Sequence, residues 1–376
     1  MNKILWLILS LIGIYSVSAY LLDPQSKDST EKRSLEVVQI GEMTTDRAAH
    51  QATLLKNEQV LITGGCAGQG CARVLSSAEL YDPVSKSFRL VAPMTSARTG
   101  HTAVALSDGR VLVVGGWTGS KATNSAEIYD PTTDQWKTVD RMSDARASLI
   151  SVPLQDSTIF VMGGGDGRLG NLSSAEIFNP FKAQFAQVGE SRTNHYLATL
   201  LADGRVLMTG GQSDDERILN TAEIFDPMTG DFLETGLMAT PRVKHAAVLL
   251  NNGRVMIIGG SDSRGYQGRF SSTEIFNPET GLFSEGPEMQ FGRHKIRDAV
   301  VKLPSGNVLV AGGARKPEFF DINAQNFIPV RGQLNGPQMF ATATLLSNGD
   351  VLVLGGYDEQ TRTSDTAWIV HKIEKK

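Results

Sequence analysis

His101-Thr-Ala-Val-Ala-Leu106, Ser107-Asp-Gly-Arg110 and Val111-Leu-Val-Val-Gly-Gly116 run without a break, followed after a variable stretch by Ser125-Ala-Glu-Ile-Tyr-Asp-Pro131 and Gln135-Trp-Lys-Thr-Val139. The first run alternates and reads as a strand. Asp108-Gly109 accepts positive φ and makes a tight turn. Val111 to Val114 is a short, fully apolar strand that ends on a glycine pair. Ser125 to Tyr129 reads as a third strand, Asp130-Pro131 opens a turn, and Gln135 to Val139 reads as a fourth. The unit is one antiparallel four-stranded sheet.

The glycine pair recurs seven times, at Gly64-Gly65, Gly115-Gly116, Gly163-Gly164, Gly210-Gly211, Gly259-Gly260, Gly312-Gly313 and Gly355-Gly356. Successive pairs lie 51, 48, 47, 49, 53 and 43 residues apart. Four-stranded units at a period near fifty mark a radial β architecture, not a helical solenoid. In six copies an aromatic on strand three precedes another on strand four by seven residues: Tyr81 and Phe88, Tyr129 and Trp136, Phe178 and Phe185, Phe225 and Phe232, Phe276 and Phe283, Phe320 and Phe327. These read as core between stacked blades. The seventh copy stops after Thr366 to Val370. Glu36-Val-Val-Gln-Ile40 precedes Met43 as Phe88-Arg-Leu-Val91 precedes Met94. The N-terminal strand is therefore expected to complete the last blade and close the ring, which removes two free sheet edges. The predicted fold is an all-β, seven-bladed propeller over residues 36–376.

Bulk properties set the compartment and narrow the partners. Lys and Arg number 36 against 40 Asp and Glu, and no basic block appears, so nucleic acid is not an expected partner. Lys3 precedes an uncharged run from Ile4 to Leu22, and Val17-Ser-Ala19 offers the small residues a signal peptidase reads. The expectation is a signal peptide over 1–19, or a membrane anchor to residue 22, then a polar tether over 20–35. Either way the propeller is expected outside the cytosol: periplasmic, secreted, on the cell surface, or held by one N-terminal transmembrane segment. Membrane contact is expected only if that segment is retained.

The glycine pair, the Tyr or Phe after it and the Trp or Phe seven residues on resemble the kelch repeat. Asp108-Gly-Arg-Val-Leu-Val-Val-Gly-Gly116 with Ala126-Glu-Ile-Tyr-Asp-Pro131 is similar to bacterial kelch-repeat proteins and to the propeller domain of galactose-oxidase-like enzymes. The resemblance covers residues 36–376 and implies a kelch-type propeller. It leaves the function open, since kelch propellers include protein-binding modules, sugar isomerases and copper oxidases. The copper chemistry uses a tyrosine cross-linked to a cysteine placed before an inner strand, with further tyrosine and histidine ligands. Here both cysteines follow Gly65, and His195-Tyr196 lacks the rest of that set. No serine-hydrolase elbow, phosphate loop or clustered metal-ligand motif is present. No metal, cofactor or catalytic residue is assigned.

An arginine precedes the first strand of six blades and a glutamate lies on their third strand: Arg47 with Glu79, Arg98 with Glu127, Arg146 with Glu176, Arg192 with Glu223, Arg242 with Glu274 and Arg293 with Glu318. In blade 7 both are replaced, by Gln338 and Trp368. Charges that appear and vanish together are expected to be structural ion pairs, since a glutamate on a middle strand needs a counterpart. A ring of arginines for anionic sugars is the alternative. His50, His101 and His245 share one junction, where the chain enters the innermost strand; in blade 4 Tyr196 takes that place beside His195. Such a histidine either bonds backbone or serves as ligand or base.

Antiparallel connectivity puts the inter-blade loops and the loops after the glycine pairs on one face. That face carries the length variation: Cys66 to Ser76, Ser213 to Leu219 and Asp262 to Phe270. The opposite turns are short and uniform. Function on a rigid scaffold usually sits in such loops. The candidate binding residues are His50, His101, Trp117, Tyr196, His245, Tyr266 and Tyr357. Cys66 and Cys71 are expected to pair in an exported protein. The expected function is a non-catalytic module that binds a protein or a glycan on the loop-rich face. The alternative is a carbohydrate-active enzyme, such as a sugar-acid isomerase or epimerase, with an Arg/His-lined pocket.

Overall fold

The structure is a computed structural model and describes residues 35–166 and 170–373. The signal, anchor and most of the tether readings lie outside the described residues.

Seven four-stranded antiparallel sheets form the seven blades. Blade 2 consists of Thr102–Ala105, Val111–Val114, Ala126–Asp130 and Gln135–Thr138, from the innermost strand outward. The apolar runs before the glycine pairs are wholly buried: Val60–Thr63, Val111–Val114, Ile159–Met162, Val255–Ile258 and Val351–Leu354 show no exposed position. Each such strand has a neighbouring blade on both faces, so it is apolar throughout and does not alternate. The outermost strands Gln135–Thr138, Asp231–Glu234 and Leu282–Glu285 are largely exposed, with one half-buried aromatic each.

The seven-residue aromatic spacing follows from hairpin register. Tyr129 stands directly opposite Trp136, and Tyr81 opposite Phe88. The ring centroids are 4.9 Å apart in both pairs and 5.5 Å apart between Phe320 and Phe327. Cross-strand aromatic pairs of this kind contribute roughly 0.5–1.5 kcal/mol each beyond the area they bury.

The ring is closed by the N-terminal strand. Leu35–Glu42 pairs antiparallel with Thr366–Lys372, with Val37 opposite Val370 and a bulge between Gln39 and Gly41. The sheet of blade 7 is thus built from both ends of the propeller. Val37 packs with Leu309, Phe319, Trp368 and Val370 between blades 6 and 7. Met43, just beyond, packs with Val60, Tyr81 and Leu354 between blades 7 and 1.

The loop after Gly65 carries a small extra ribbon, Cys66–Ala67 against Arg73–Val74, and the Cys66–Cys71 disulfide closes it. Blade 6 departs the other way: Gly313 leads through Ala314 to Pro317 straight into the strand Glu318–Asp321, with no extended loop. Among the described residues no helix is long and apolar enough to cross a membrane.

Candidate functional site

The charged residues of the repeat serve as struts between its parts. Arg98 lies fully buried, with a nitrogen 2.6 Å from Glu127 and another 2.7 Å from the Gly115 carbonyl oxygen. Glu127 in turn accepts the backbone N–H of Thr95 at 2.7 Å. Arg47 meets Glu79 at 2.6 Å, Arg146 meets Glu176 at 3.2 Å, Arg242 meets Glu274 at 2.8 Å and Arg293 meets Glu318 at 2.7 Å. Burial pulls these guanidinium groups down from their ordinary value, and the partner glutamate opposes it. All five arginines are inside the protein, so they form no anion-binding ring at the channel mouth.

The expected Arg–Glu ion pairs form in these five blades, and the glutamates take further partners. Glu79 also accepts the Thr44 backbone N–H at 2.8 Å and the Thr44 hydroxyl at 2.9 Å. Glu274 accepts the backbone N–H groups of Ala239 at 2.8 Å and Thr240 at 3.1 Å. Glu176 accepts the Ser143 N–H on both oxygens, at 3.0 and 3.1 Å, and shares Arg146 with Asp144, which stands 3.4 Å from the guanidinium. The reason is that a carboxylate offers more acceptor sites than one arginine fills. In a buried position the remaining lone pairs take the N–H groups of the loop that enters the blade. Each glutamate therefore fixes that inter-blade loop as well as the charge.

Blade 4 corrects the expectation of six equal pairs. The Arg192 side chain is 68% exposed and pairs with Glu234 on the outer strand. Glu223 accepts from Ser191 Oγ and from the Arg192 backbone N–H, and so holds the loop without the guanidinium. The reason is register. Arg47, Arg98, Arg146 and Arg242 stand 17 residues before the glycine whose carbonyl they reach. Arg192 stands 18 residues before Gly210, which turns its side chain outward. Blade 7 has neither charge, and Trp368 fills its space in the apolar cluster.

The histidines are not on the surface. His50, His101 and His245 are each 0% exposed. Their Nε2 atoms lie 2.9 Å from the hydroxyls of Thr342, Thr63 and Thr209 in the preceding blade. Their rings sit against the first glycine of that blade's pair: a Cβ on Gly64 would stand 2.9 Å from His101 Cε1, and one on Gly210 would stand 2.8 Å from His245 Cε1. The glycine is needed because the next blade's ring occupies the place of its side chain. In blade 3 the same seat holds Leu149, close to Gly115, and in blade 6 it holds Ile296, close to Gly259. A seat that takes histidine, leucine or isoleucine is a packing seat. The assignment of His50, His101 and His245 as ligand contacts is therefore corrected.

Burial, then Arg47, holds His50 down to about 3. Burial, then Arg98, holds His101 well below its ordinary value, and burial, then Lys295, holds His294 down to about 3. The folded state keeps these rings neutral, whereas the unfolded chain protonates them near 6.5. Their contribution to stability is thus complete above pH 6.5 and is lost as the pH falls toward 3. Each is expected to remove about 1–2 kcal/mol between pH 7 and pH 5. Denaturant titration at both pH values checks this. His101→Leu, which copies the native occupant of blade 3, is expected to flatten the slope; stability that is level from pH 7 to 5 contradicts the assignment.

The channel axis is framed by a second feature that sequence reading missed. In six blades the residue before this seat has positive φ: Ala49 (49°), Gly100 (57°), Ser148 (57°), Lys244 (58°), Lys295 (57°) and Phe340 (55°). Only one is glycine, so the fold imposes a backbone that L-residues disfavour by roughly 1 kcal/mol each. Hydrogen bonds link these residues around the axis: Ala49 N–H to Phe340 O, Gly100 to Ala49, Ser148 to Gly100, Lys295 to Lys244 and Phe340 to Lys295, at 2.7–3.1 Å.

On the loop-rich face above this ring lies a cavity of about 340 Å³. Half-buried Trp117 and the edge of Tyr357 form its walls, with Phe340, the disulfide loop and the Arg297–Asp298 pair. Arg297 and Asp298 come from an insertion. Arg293 stands 19 residues before Gly312, two more than in the other paired blades, and the extra residues form the turn Ile296 to Ala299. Arg297 reaches across to the Leu149 carbonyl oxygen at 2.9 Å, and Asp298 accepts from Gln51 Nε2 at 3.3 Å. Tyr357 is only 8% exposed; its hydroxyl accepts from Lys295 Nζ at 2.6 Å, and burial pushes it up to about 12.

Tyr266 does not join this cavity. It lines a separate polar cleft of about 540 Å³, left open by the short loop of blade 6, where its hydroxyl donates to Glu359 and Arg269 lies over its ring at 4.0 Å. The Tyr196 side chain lies outside the described residues. The channel-mouth cavity holds one arginine, Arg297, and none of the described histidines, whereas the cleft beside Tyr266 is lined by Arg269, Arg315 and Arg362.

Comparison with known proteins agrees with this architecture. The kelch motif matches residues 48–95, 98–143 and 242–290. This chain carries kelch motifs on a seven-bladed β-propeller. The matched blades are 1, 2 and 5, those that keep both the buried arginine and the seated histidine. The propeller is similar to a solved structure described as a novel fungal alcohol oxidase with catalytic diversity among the AA5 family, in complex with copper. The TM-score is 0.71 at 17% identity, covering 89% of this chain and 75% of that one, and the likeness is one of fold. No curated protein matches. Both cysteines of the kelch propeller are joined to each other, and among the described residues no three His, Cys, Asp or Glu side chains converge.

Proposed function

We propose that this kelch propeller is an exported binding module that holds a glycan at the channel mouth of its loop-rich face. The observation that carries the reading is the cavity itself. At about 340 Å³ it suits one or two sugar rings rather than a protein surface. Trp117 offers a stacking wall, and the Arg297–Asp298 pair opposite offers hydrogen-bond donors and acceptors fixed by their own contacts. The rim belongs to loops that differ from blade to blade, whereas the struts beneath it repeat. Export is supported by the uncharged run from Ile4 to Leu22 and by the Cys66–Cys71 bond, which suits an oxidising compartment.

A glycan array probed with the full chain tests this, beside an affinity pull-down for protein ligands. Trp117→Ala and Arg297→Ala are each expected to weaken binding of the glycan found by tenfold or more without changing the melting temperature. Arg110→Ala, on the opposite face, is expected to leave it unchanged. Glycan binding that survives both channel-mouth changes overturns the proposal, as does capture of a protein with no glycan bound.

A further inference from the structure

Two lysines stand on adjacent steps of the axial ring. Lys295 N–H bonds the Lys244 carbonyl oxygen at 2.8 Å, and both residues have positive φ, at 57° and 58°. Both are half-buried. Lys295 Nζ donates to the Tyr357 hydroxyl and lies 5.1 and 5.4 Å from the Tyr357 and Phe340 ring centres, which are walls of the channel-mouth cavity. Lys244 lines a smaller cavity of about 160 Å³ with Asn171, Asn194 and Gln212. The two cavities share Ser148.

The acids nearby are committed elsewhere. Asp298 pairs with Arg297, Asp214 accepts from Asn171 and Asn194, Asp262 pairs with Arg264, and Glu359 accepts from Tyr266. Among the described residues no carboxylate lies at ion-pair distance from either lysine. The other basic group that interacts with both is His294, which burial holds down to about 3. Half-buried like charges without an acid between them are costly unless an anion joins them. Burial, then the neighbouring Lys295, pulls the Lys244 ammonium below its ordinary value, and burial does the same to Lys295.

We infer that Lys244 and Lys295 form an anion subsite beside the channel mouth, so that the ligand is acidic, a glycan bearing a carboxylate or sulfate group. The anionic group would lie between the two ammonium groups. Tyr357 Oη already accepts from Lys295, so its own hydrogen is free to donate to the same anion. The sugar ring that carries the group would face Trp117. This rests on the glycan reading above for the ring, and on the lysines alone for the charge.

The test is a binding titration of the full chain with a uronate-terminated oligosaccharide against its neutral hexose counterpart, at low and high salt. The acidic ligand is expected to bind at least tenfold more tightly, and to lose that advantage in high salt and in the Lys244→Met/Lys295→Met variant. Equal binding of both ligands, or acidic binding unchanged in that variant, overturns the subsite. If Trp117→Ala leaves acidic binding intact while the lysine variant abolishes it, the subsite stands and the stacking reading fails. Should neither oligosaccharide bind, the ε-methylene resonances of Lys244 and Lys295 are followed by NMR during titration with free glucuronate. Shifts confined to these two lysines sustain the subsite, and their absence overturns it.

Discussion

Deleting residues 35–42 is expected to lower stability by on the order of 5 kcal/mol, enough to leave much of the protein unfolded or aggregated. The strand supplies the fourth member of blade 7 and pairs the N-terminal end of the propeller's chain with its C-terminal end. Val37 is buried between blades 6 and 7, Leu35 packs against the same cluster, and Ile40 packs toward blade 1. Each such side chain contributes about 1.5–3 kcal/mol when fully buried, less when partly so. Deletion also strips the hydrogen-bond partners from Thr366–Lys372 and leaves a bare sheet edge, which invites pairing between copies. Thermal unfolding and light scattering report both effects. A synthetic peptide of residues 34–43 added in trans is expected to restore part of the lost melting temperature. A truncated chain that melts with the full one contradicts closure.

Breaking one buried strut is expected to cost nearly as much. Arg98→Met leaves Glu127 buried without its partner, and Glu127→Gln leaves Arg98 in the same position; either is expected to cost about 3–5 kcal/mol. The double replacement is expected to cost well under the sum, since two uncharged side chains need no counter-charge. Blade 7 already shows that solution, with Gln338 and Trp368 both buried in place of the pair. Arg192→Met is the internal control. Its partner Glu234 is 64% exposed, and such a pair contributes about 0–1 kcal/mol. Urea titrations of the four variants supply the cycle. Coupling near zero between Arg98 and Glu127 contradicts the strut, and so does a cost at Arg192 equal to that at Arg98.

How far the sequence could be read differs between scaffold and site, for physical reasons. The scaffold repeats, so every copy of the glycine pair, the opposed aromatics and the arginine with its glutamate supports the others. Even the failure in blade 4 is written there, as a spacing of 18 rather than 17 between Arg192 and Gly210. The second task of Glu79, Glu176 and Glu274, holding loop N–H groups, was hidden because backbone donors leave no mark in the residue pattern. The histidines misled because type suggested chemistry. The decisive signal was the occupant of the same seat elsewhere: Leu149 follows Arg146 by three residues as His101 follows Arg98, and Ile296 follows Arg293 likewise. The site resists reading because it does not repeat. Arg297 and Asp298 exist only through the extra residues of blade 6, and Lys244, Lys295 and Phe340 gain their place from an axial backbone ring that no side-chain pattern announces. Trp117 was legible because it directly follows a glycine pair.

On the proposed reading, the strut-held propeller presents a ligand site at the channel mouth. Backbone hydrogen exchange measured on the chain with and without the glycan selected by array tests it most directly. Added protection is expected in 66–75, 117–123, 295–298 and 357–363, which hold lining residues of the channel-mouth cavity, and none in the turns at 107–110, 203–205 and 252–254. Protection confined to those turns, on the opposite face, would contradict it.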